Sequence, residues 1–220
     1  MSVTPESVQE LLSSEDFGHR LSGVNQLRQL DPSIAFDLIQ PVVIDRNVRV
    51  RYAAVSQLSS LGQQNPTAAL EILKRALTED PEPDVQAAAA DSIGALKLTQ
   101  AYEDLEQLYN RTSEWLVQFS VIAALGELGD PRSFTLLETA LQSETELVRT
   151  AAIGSLGELG DDRAVQLLLP YISDPDWQTR YQVAKALSRF DSPEVRSALE
   201  QMSHDEMEAV AQEAQTYLAK

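Results

Sequence analysis

The sequence predicts an all-α fold, a right-handed α-solenoid of about seven helical hairpins forming one domain over residues 1–220. Three observations predict it. An anchor column recurs at Arg20, Arg51, Gln86, Gln118, Arg149, Arg180 and Ala211, with spacings of 31, 35, 32, 31, 31 and 31 residues. Seven residues after each anchor stands an aliphatic side chain: Leu27, Leu58, Ile93, Leu125, Leu156, Leu187 and Leu218. An N-cap acceptor followed by Pro recurs between the anchored segments, at Asp31-Pro32, Asn65-Pro66, Asp130-Pro131 and Ser192-Pro193. A period of this length marks stacked hairpins, none of which can bury its apolar face alone.

The most regular unit is Glu146–Leu169, an Ala-rich helix, a Gly-Asp-Asp turn and a Leu-rich helix. In the anchored helices, Val24, Val55, Ala90, Ile122, Ile153 and Ala184 stand four residues after the anchor. Leu30, Leu61, Leu96, Leu128, Leu159 and Phe190 stand ten after it, and together these columns make one buried stripe. Shorter Leu-rich helices are expected near Ala35–Ile44, Ala68–Leu77, Tyr102–Tyr109, Ser133–Leu141, Ala164–Ile172 and Glu194–Met202, and a first helix near Pro5–Ser14 pairs with Phe17–Leu30. Pro at the first helical position loses nothing, because that N–H has no partner in the helix. Pro41 and Pro170 fall late in their helices and should shorten or kink them. Gly62, Gly129 and Gly160 stand where a left-handed residue should end the preceding helix. The extra residues of Thr78–Asp84 make that segment the expected flexible joint.

Composition narrows the function. A hydrophobic fraction of 43% with 23% charged residues is that of a folded chain. No apolar run approaches the roughly 18 residues of a membrane span, and the N-terminus lacks the basic start and apolar core of a signal peptide. A cytoplasmic protein is expected. The absence of cysteine excludes disulfides, thiolate metal sites and a cysteine nucleophile. A formal charge of −17 repels phosphate backbones and argues against nucleic acid as a partner. It serves solubility, or a partner that is locally basic.

The pattern x-Val-Arg-x-x-Ala-[Ala/Val/Ile]-x-x-Leu-Gly-x-Leu-Gly-Asp, matched most closely by Leu147–Asp161 and Leu116–Asp130, resembles the short HEAT repeats of cyanobacterial bilin-lyase proteins. The resemblance runs from about Phe17 to Leu218. The opening Ser2–Val8 and the segment Asn47–Leu58 are similar to the non-bleaching (B-type) group of phycobilisome-degradation proteins, relatives of the E and F subunits of phycocyanobilin lyases. The resemblance implies phycobiliprotein subunits of the phycocyanin type as partners, and a part in dismantling the antenna under nutrient stress. It implies a linear tetrapyrrole, phycocyanobilin, held transiently and non-covalently, with no tightly bound cofactor. The lack of cysteine agrees with non-covalent handling.

Candidate binding residues lie on the anchored helices, on the expected concave face: Arg51, Tyr52, Trp115, Gln118, Phe119, Arg149, Trp177, Arg180 and Tyr181. Each has a packing alternative. The Arg column either bridges to the helix cap of the adjacent repeat (Asp16, Asn47, Glu82, Glu114, Thr145 and Asp176 stand four residues before the anchors) or grips the propionates of a bilin with its planar forks. Trp115 and Trp177 either plug hairpin junctions or offer aromatic surface, and so do Tyr52, Phe119 and Tyr181 just after the anchors. Gln86 and Gln118, replacing Arg, are departures that point to function. Ala88, Ser92, Ala123, Ala124, Gly154 and Ser155, off the buried stripe, would give a smooth floor.

No catalytic constellation is present. His19 and His204 are far apart in the array, and neither has a metal-ligand partner three or four residues on. Asp161-Asp162 and Asp205-Glu206 read as caps, and no phosphate loop, serine elbow or dinucleotide fingerprint occurs. Three functions fit: a degradation factor that assists bilin detachment, a lyase or isomerase subunit, and a protein-interaction scaffold. The repeat itself carries a stability prediction: Leu125→Ala should lower the free energy of unfolding by about 2–5 kcal/mol through lost burial and a cavity, read from its urea midpoint.

Overall fold

The computed structural model describes residues 3–219. Met1, Ser2 and Lys220 lie outside the described residues, and with Ser2 goes the first residue of the Ser2–Val8 opening. Fourteen α-helices and no strand occur among the described residues, and they pair as seven hairpins. The first four hairpins are α1 (Pro5–Leu12) with α2 (Phe17–Gln26), α3 (Pro32–Ile39) with α4 (Val48–Leu61), α5 (Pro66–Glu79) with α6 (Pro83–Ala95), and α7 (Tyr102–Arg111) with α8 (Trp115–Leu128). The remaining three are α9 (Phe134–Ala140) with α10 (Glu146–Leu159), α11 (Arg163–Leu168) with α12 (Trp177–Leu187), and α13 (Pro193–Met202) with α14 (Glu208–Leu218). None of these helices is long and apolar enough to cross a membrane.

The chain forms two compact units, 1–124 and 125–220, divided within α8. In the first unit α2, α4 and α6 pack in succession, and α5 rests on α7. In the second, α10, α12 and α14 pack in succession, with α9 and α13 closing their hairpins. Each core is made by the predicted columns. Leu27, Leu58, Ile93, Leu125, Leu156 and Leu187 are fully buried, as are Val24, Val55, Ala90, Ile122 and Ala184. The column ten residues after the anchor is buried at Leu61, Leu128 and Phe190 but half-exposed at Leu30, Leu96 and Leu159, where the helices end. Leu218, near the end of α14, is half-exposed.

The caps follow the sequence. Asp31, Asn65, Asp130 and Ser192 accept backbone N–H groups of the following turn. Pro41 and Pro170 end their α-helices, and the chain continues as 3-10 turns over Gln40–Ile44 and Leu169–Ser173. Gly129 and Gly160 adopt the left-handed conformation, with φ of 65° and 69°. Gly62 does not: its φ is −61°, because the chain runs on through a 3-10 turn over Gly62–Gln64. The extra residues of Thr78–Asp84 join α5 to α6. They lengthen α5 to 14 residues, and the Asp80 carboxylate accepts the Glu82 N–H at 3.0 Å.

The small residues are mostly helix spacers rather than a floor. Ala88, Ser92, Ala124 and Ser155 are buried, and the Ser92 hydroxyl donates to the Val55 carbonyl of the preceding anchored helix at 3.0 Å. Only Ala123 and Gly154 reach the surface. Gly157 shows how tight the spacing is: a Cβ there would lie 2.7 Å from the Ala186 Cα of α12. A Cβ on Gly154, in the same helix, would meet nothing within 4 Å. The two glycines therefore respond oppositely to alanine. Gly154→Ala should raise stability by about 0.5–1 kcal/mol through helix propensity. Gly157→Ala should lower it, because α10 and α12 must separate. Urea midpoints of the two variants decide the matter.

Candidate functional site

The anchor column builds a ladder of polar contacts along the loops that precede the anchored helices. Each polar anchor, all but Ala211, donates to the backbone carbonyl six residues earlier: Arg20 to Ser14 (2.8 Å), Arg51 to Asp45 (2.9 Å), Gln86 to Asp80 (2.8 Å), Gln118 to Thr112 (3.1 Å), Arg149 to Ser143 (2.7 Å) and Arg180 to Asp174 (2.8 Å). The side chain at that sixth position accepts the N–H two residues on, folding the loop into the helix start. Ser14, Asp45, Asp80, Thr112, Ser143, Asp174 and Asp205 all do so. The remaining edge of the guanidinium reaches the next repeat. Arg20 forks onto Asp45 (2.6 and 2.9 Å), Arg51 onto Asp80 (2.7 and 3.1 Å) and Arg180 onto Asp205 (2.7 and 2.9 Å).

This corrects the expected partner. The Arg bridges not to the helix cap but to the residue two positions before it. Asp16, Asn47 and Asp176 do cap their helices, whereas Glu82 and Thr145 make no side-chain cap bond. The glutamines also find a structural account. Where the following loop carries a neutral Thr112 or Ser143 instead of Asp, the anchor is the neutral Gln86 or Gln118. Arg149 breaks the rule. It donates to the Ser143 and Glu144 carbonyls and, among the described residues, reaches no carboxylate, although Asp174 stands in the expected register.

The ion pairs are buried and hold their protonation states. The Asp205 carboxyl lies below the usual aspartate range because Arg180 donates to it, against the opposing effect of burial and with help from the Met207 N–H. For Asp45 burial pushes upward, but the Arg20 fork and the Asn47 N–H outweigh it and the carboxyl is lowered. The forks of Arg51 and Arg180 are therefore committed within the fold.

The aromatic candidates stand elsewhere on the same helices. Tyr52 and Trp115 are each 48% exposed and Trp177 is 39% exposed, so the tryptophans plug no hairpin junction. Phe119 and Tyr181 are half-exposed. In the second unit these positions gather into one hollow of about 480 Å³. Glu146, Leu147 and Thr150 of α10 form one wall, Trp177, Tyr181 and two glutamines of α12 the centre, and Ala209 of α14 the far side. Helical spacing of three and four residues puts each set on one face. Leu147, 51% exposed, joins them; it stands two residues before the anchor Arg149, outside the buried stripe that the sequence marks. The structure brings together Trp177 and Tyr181. Tyr52, Trp115, Gln118 and Phe119 lie in the first unit, on α4 and α8, and Arg51 lines a separate hollow there.

A profile of HEAT repeats matches residues 4–91, 70–156 and 135–219. The chain belongs to the HEAT-repeat family. No curated protein sequence matches it. Among solved structures, this HEAT-repeat protein is similar to the complex of CpcE and CpcF of phycocyanin lyase from Nostoc sp. PCC7120, with a TM-score of 0.67, 22% identity, and coverage of 99% of this chain and 88% of that one. It is similar also to the archaeal HEAT-like repeats protein of Thermococcus onnurineus NA1, with a TM-score of 0.59, 13% identity, and coverage of 99% and 96%. At these identities the likeness concerns the fold.

The ladder yields a test. Arg180→Ala leaves the Asp205 carboxylate buried without its cation and should destabilise the protein by about 3–5 kcal/mol. The contribution of Asp205 is present above its unfolded value near pH 4 and is lost as pH falls through its lowered folded value. Asp205→Asn should therefore flatten the acid limb of a stability–pH curve measured by urea unfolding between about pH 7 and pH 2.

Proposed function

We propose that this HEAT-repeat protein binds a phycobiliprotein of the phycocyanin type and assists detachment of its bilin during phycobilisome degradation, without bonding the pigment itself. The observation that carries the reading is the hollow over α10, α12 and α14, where Trp177, Tyr181 and Leu147 offer exposed apolar surface of the composition that dominates protein interfaces. Three further observations support it. The chain has no cysteine that could take a pigment thioether. Its repeat motif resembles that of bilin-lyase proteins. The fold is similar to that of the CpcE–CpcF complex of phycocyanin lyase.

That last likeness favours a second reading, in which the protein is a lyase subunit that attaches bilin. The two differ in direction, and one set of mixtures separates them. Incubation with holo-phycocyanin subunits should give co-migration on a sizing column and a changed visible spectrum. Formation of a pigment adduct from apo-subunit and free bilin, resistant to denaturation, would instead establish the lyase reading. Trp177→Ala with Tyr181→Ala should weaken co-migration about tenfold or more while leaving the helical circular dichroism unchanged. An unaltered spectrum together with no co-migration would sink both readings and leave a scaffold for some other partner.

A further inference from the structure

The hollow over α10, α12 and α14 carries a charge pattern that its aromatic surface does not require. Its lining holds one carboxylate, Glu146, and no cation. The Glu146 backbone carbonyl accepts the Thr150 hydroxyl at 3.0 Å, but its carboxylate has no hydrogen-bond or ion-pair partner among the described residues. Neighbouring cations are engaged elsewhere. Arg149 donates to the Ser143 and Glu144 carbonyls, and Arg180 forks onto Asp205. Lys185, four residues beyond Tyr181 on α12, does not reach the lining.

Beside this carboxylate stand Trp177 and Tyr181, four residues apart on one face of α12. Among the described residues neither ring has a cation over it, and the amides of Gln178 and Gln182 between and after them make no hydrogen bond. These groups select what can sit on them. An apolar side chain would strip water from Glu146 and both amides without replacing it. An anion would meet no cation, on a chain of formal charge −17. A cation meets ring faces of negative potential, an uncompensated carboxylate and neutral amide oxygens together. An ammonium is a compact, strongly hydrated point charge. A guanidinium is planar and weakly hydrated, so it can lie on a ring while its edge forks onto a carboxylate and its other donors meet the amides.

We propose that the hollow receives an arginine side chain of the protein partner, its guanidinium laid on Trp177 or Tyr181 and forked onto Glu146, with Leu147 covering its methylene stem. The assignment rests on the reading above that a protein partner seats on this hollow, and it names the chemistry by which that partner is read.

N-acetylargininamide is the probe, titrated into the isotope-labelled full chain and followed on the Trp177 indole N–H resonance. The chain has two tryptophans, and a Trp115→Phe sample assigns their signals. N-acetylcitrullinamide, a neutral copy of nearly the same shape, should bind about fivefold or more weakly. Glu146→Gln should weaken argininamide binding to a similar degree, and so should added salt. Glu146 is exposed, so the helical circular dichroism of that variant should not change. Equal binding of the citrulline analogue, or undiminished binding by Glu146→Gln, would overturn the assignment. Co-migration with holo-phycocyanin is measured in parallel. Co-migration without any argininamide response would overturn the arginine assignment and spare the partner reading. A charge-dependent argininamide response without co-migration would keep the guanidinium site and remove phycocyanin as its occupant. If neither occurs, both fall.

Discussion

Six of the seven hairpin junctions in this protein turn on one contact, the bond from an anchor side chain to the carbonyl six residues before it. A loop between helices leaves backbone acceptors without intrahelical partners, and burial makes them costly unless something donates to them. The anchor supplies that donor at six successive junctions, with Arg where the next loop carries Asp and Gln where it carries Thr or Ser. One side chain thus closes its own loop and, through Asp45, Asp80 or Asp205, fixes the start of the next anchored helix. The apolar columns supply the driving force for stacking, and the polar column sets the register in which it occurs. Nearest-neighbour coupling of this kind is how a repeat array becomes cooperative.

The fold was legible in the sequence because its signals are local and repeated. The aliphatic column, the proline starts and the left-handed glycines at 129 and 160 each report on backbone geometry within a few residues. Gly62 misled because a 3-10 turn can follow a helix as readily as a left-handed residue can end it. The partner of the anchor was legible too, though in another column: Ser14, Asp45, Asp80, Thr112, Ser143, Asp174 and Asp205 are all small side-chain acceptors at one offset. Matching Arg to Asp and Gln to Thr or Ser across successive repeats would have exposed the pairing.

Binding surface was less legible, because it depends on which residues share a face across hairpins. Trp177 and Tyr181 meet Leu147 only when α10 and α12 pack side by side. Ala88, Ser92, Ala124 and Ser155 appeared to lie off the stripe, yet they are buried because each anchored helix touches its neighbours on two sides, not one. A single helical wheel shows one buried stripe; a stacked helix has a broader one. What stays outside is a narrow strip at the start of each anchored helix, and that strip carries the exposed aromatics.

Arg149 is where the ladder lacks a rung. Its fork makes no bond to the Asp174 loop, so α10 and α12 are held by apolar packing, the close approach of Gly157 to Ala186 and a solvent-exposed Arg189–Glu158 pair at 3.6 Å rather than by a buried fork. Links in series yield first at the most compliant one. This joint lies beneath the hollow formed by Leu147, Trp177 and Tyr181, so that exposed surface rests on a seam without a buried fork. A partner seated there can be accommodated by a small hinge of one hairpin on the next, while the buried forks keep the other clasped seams closed.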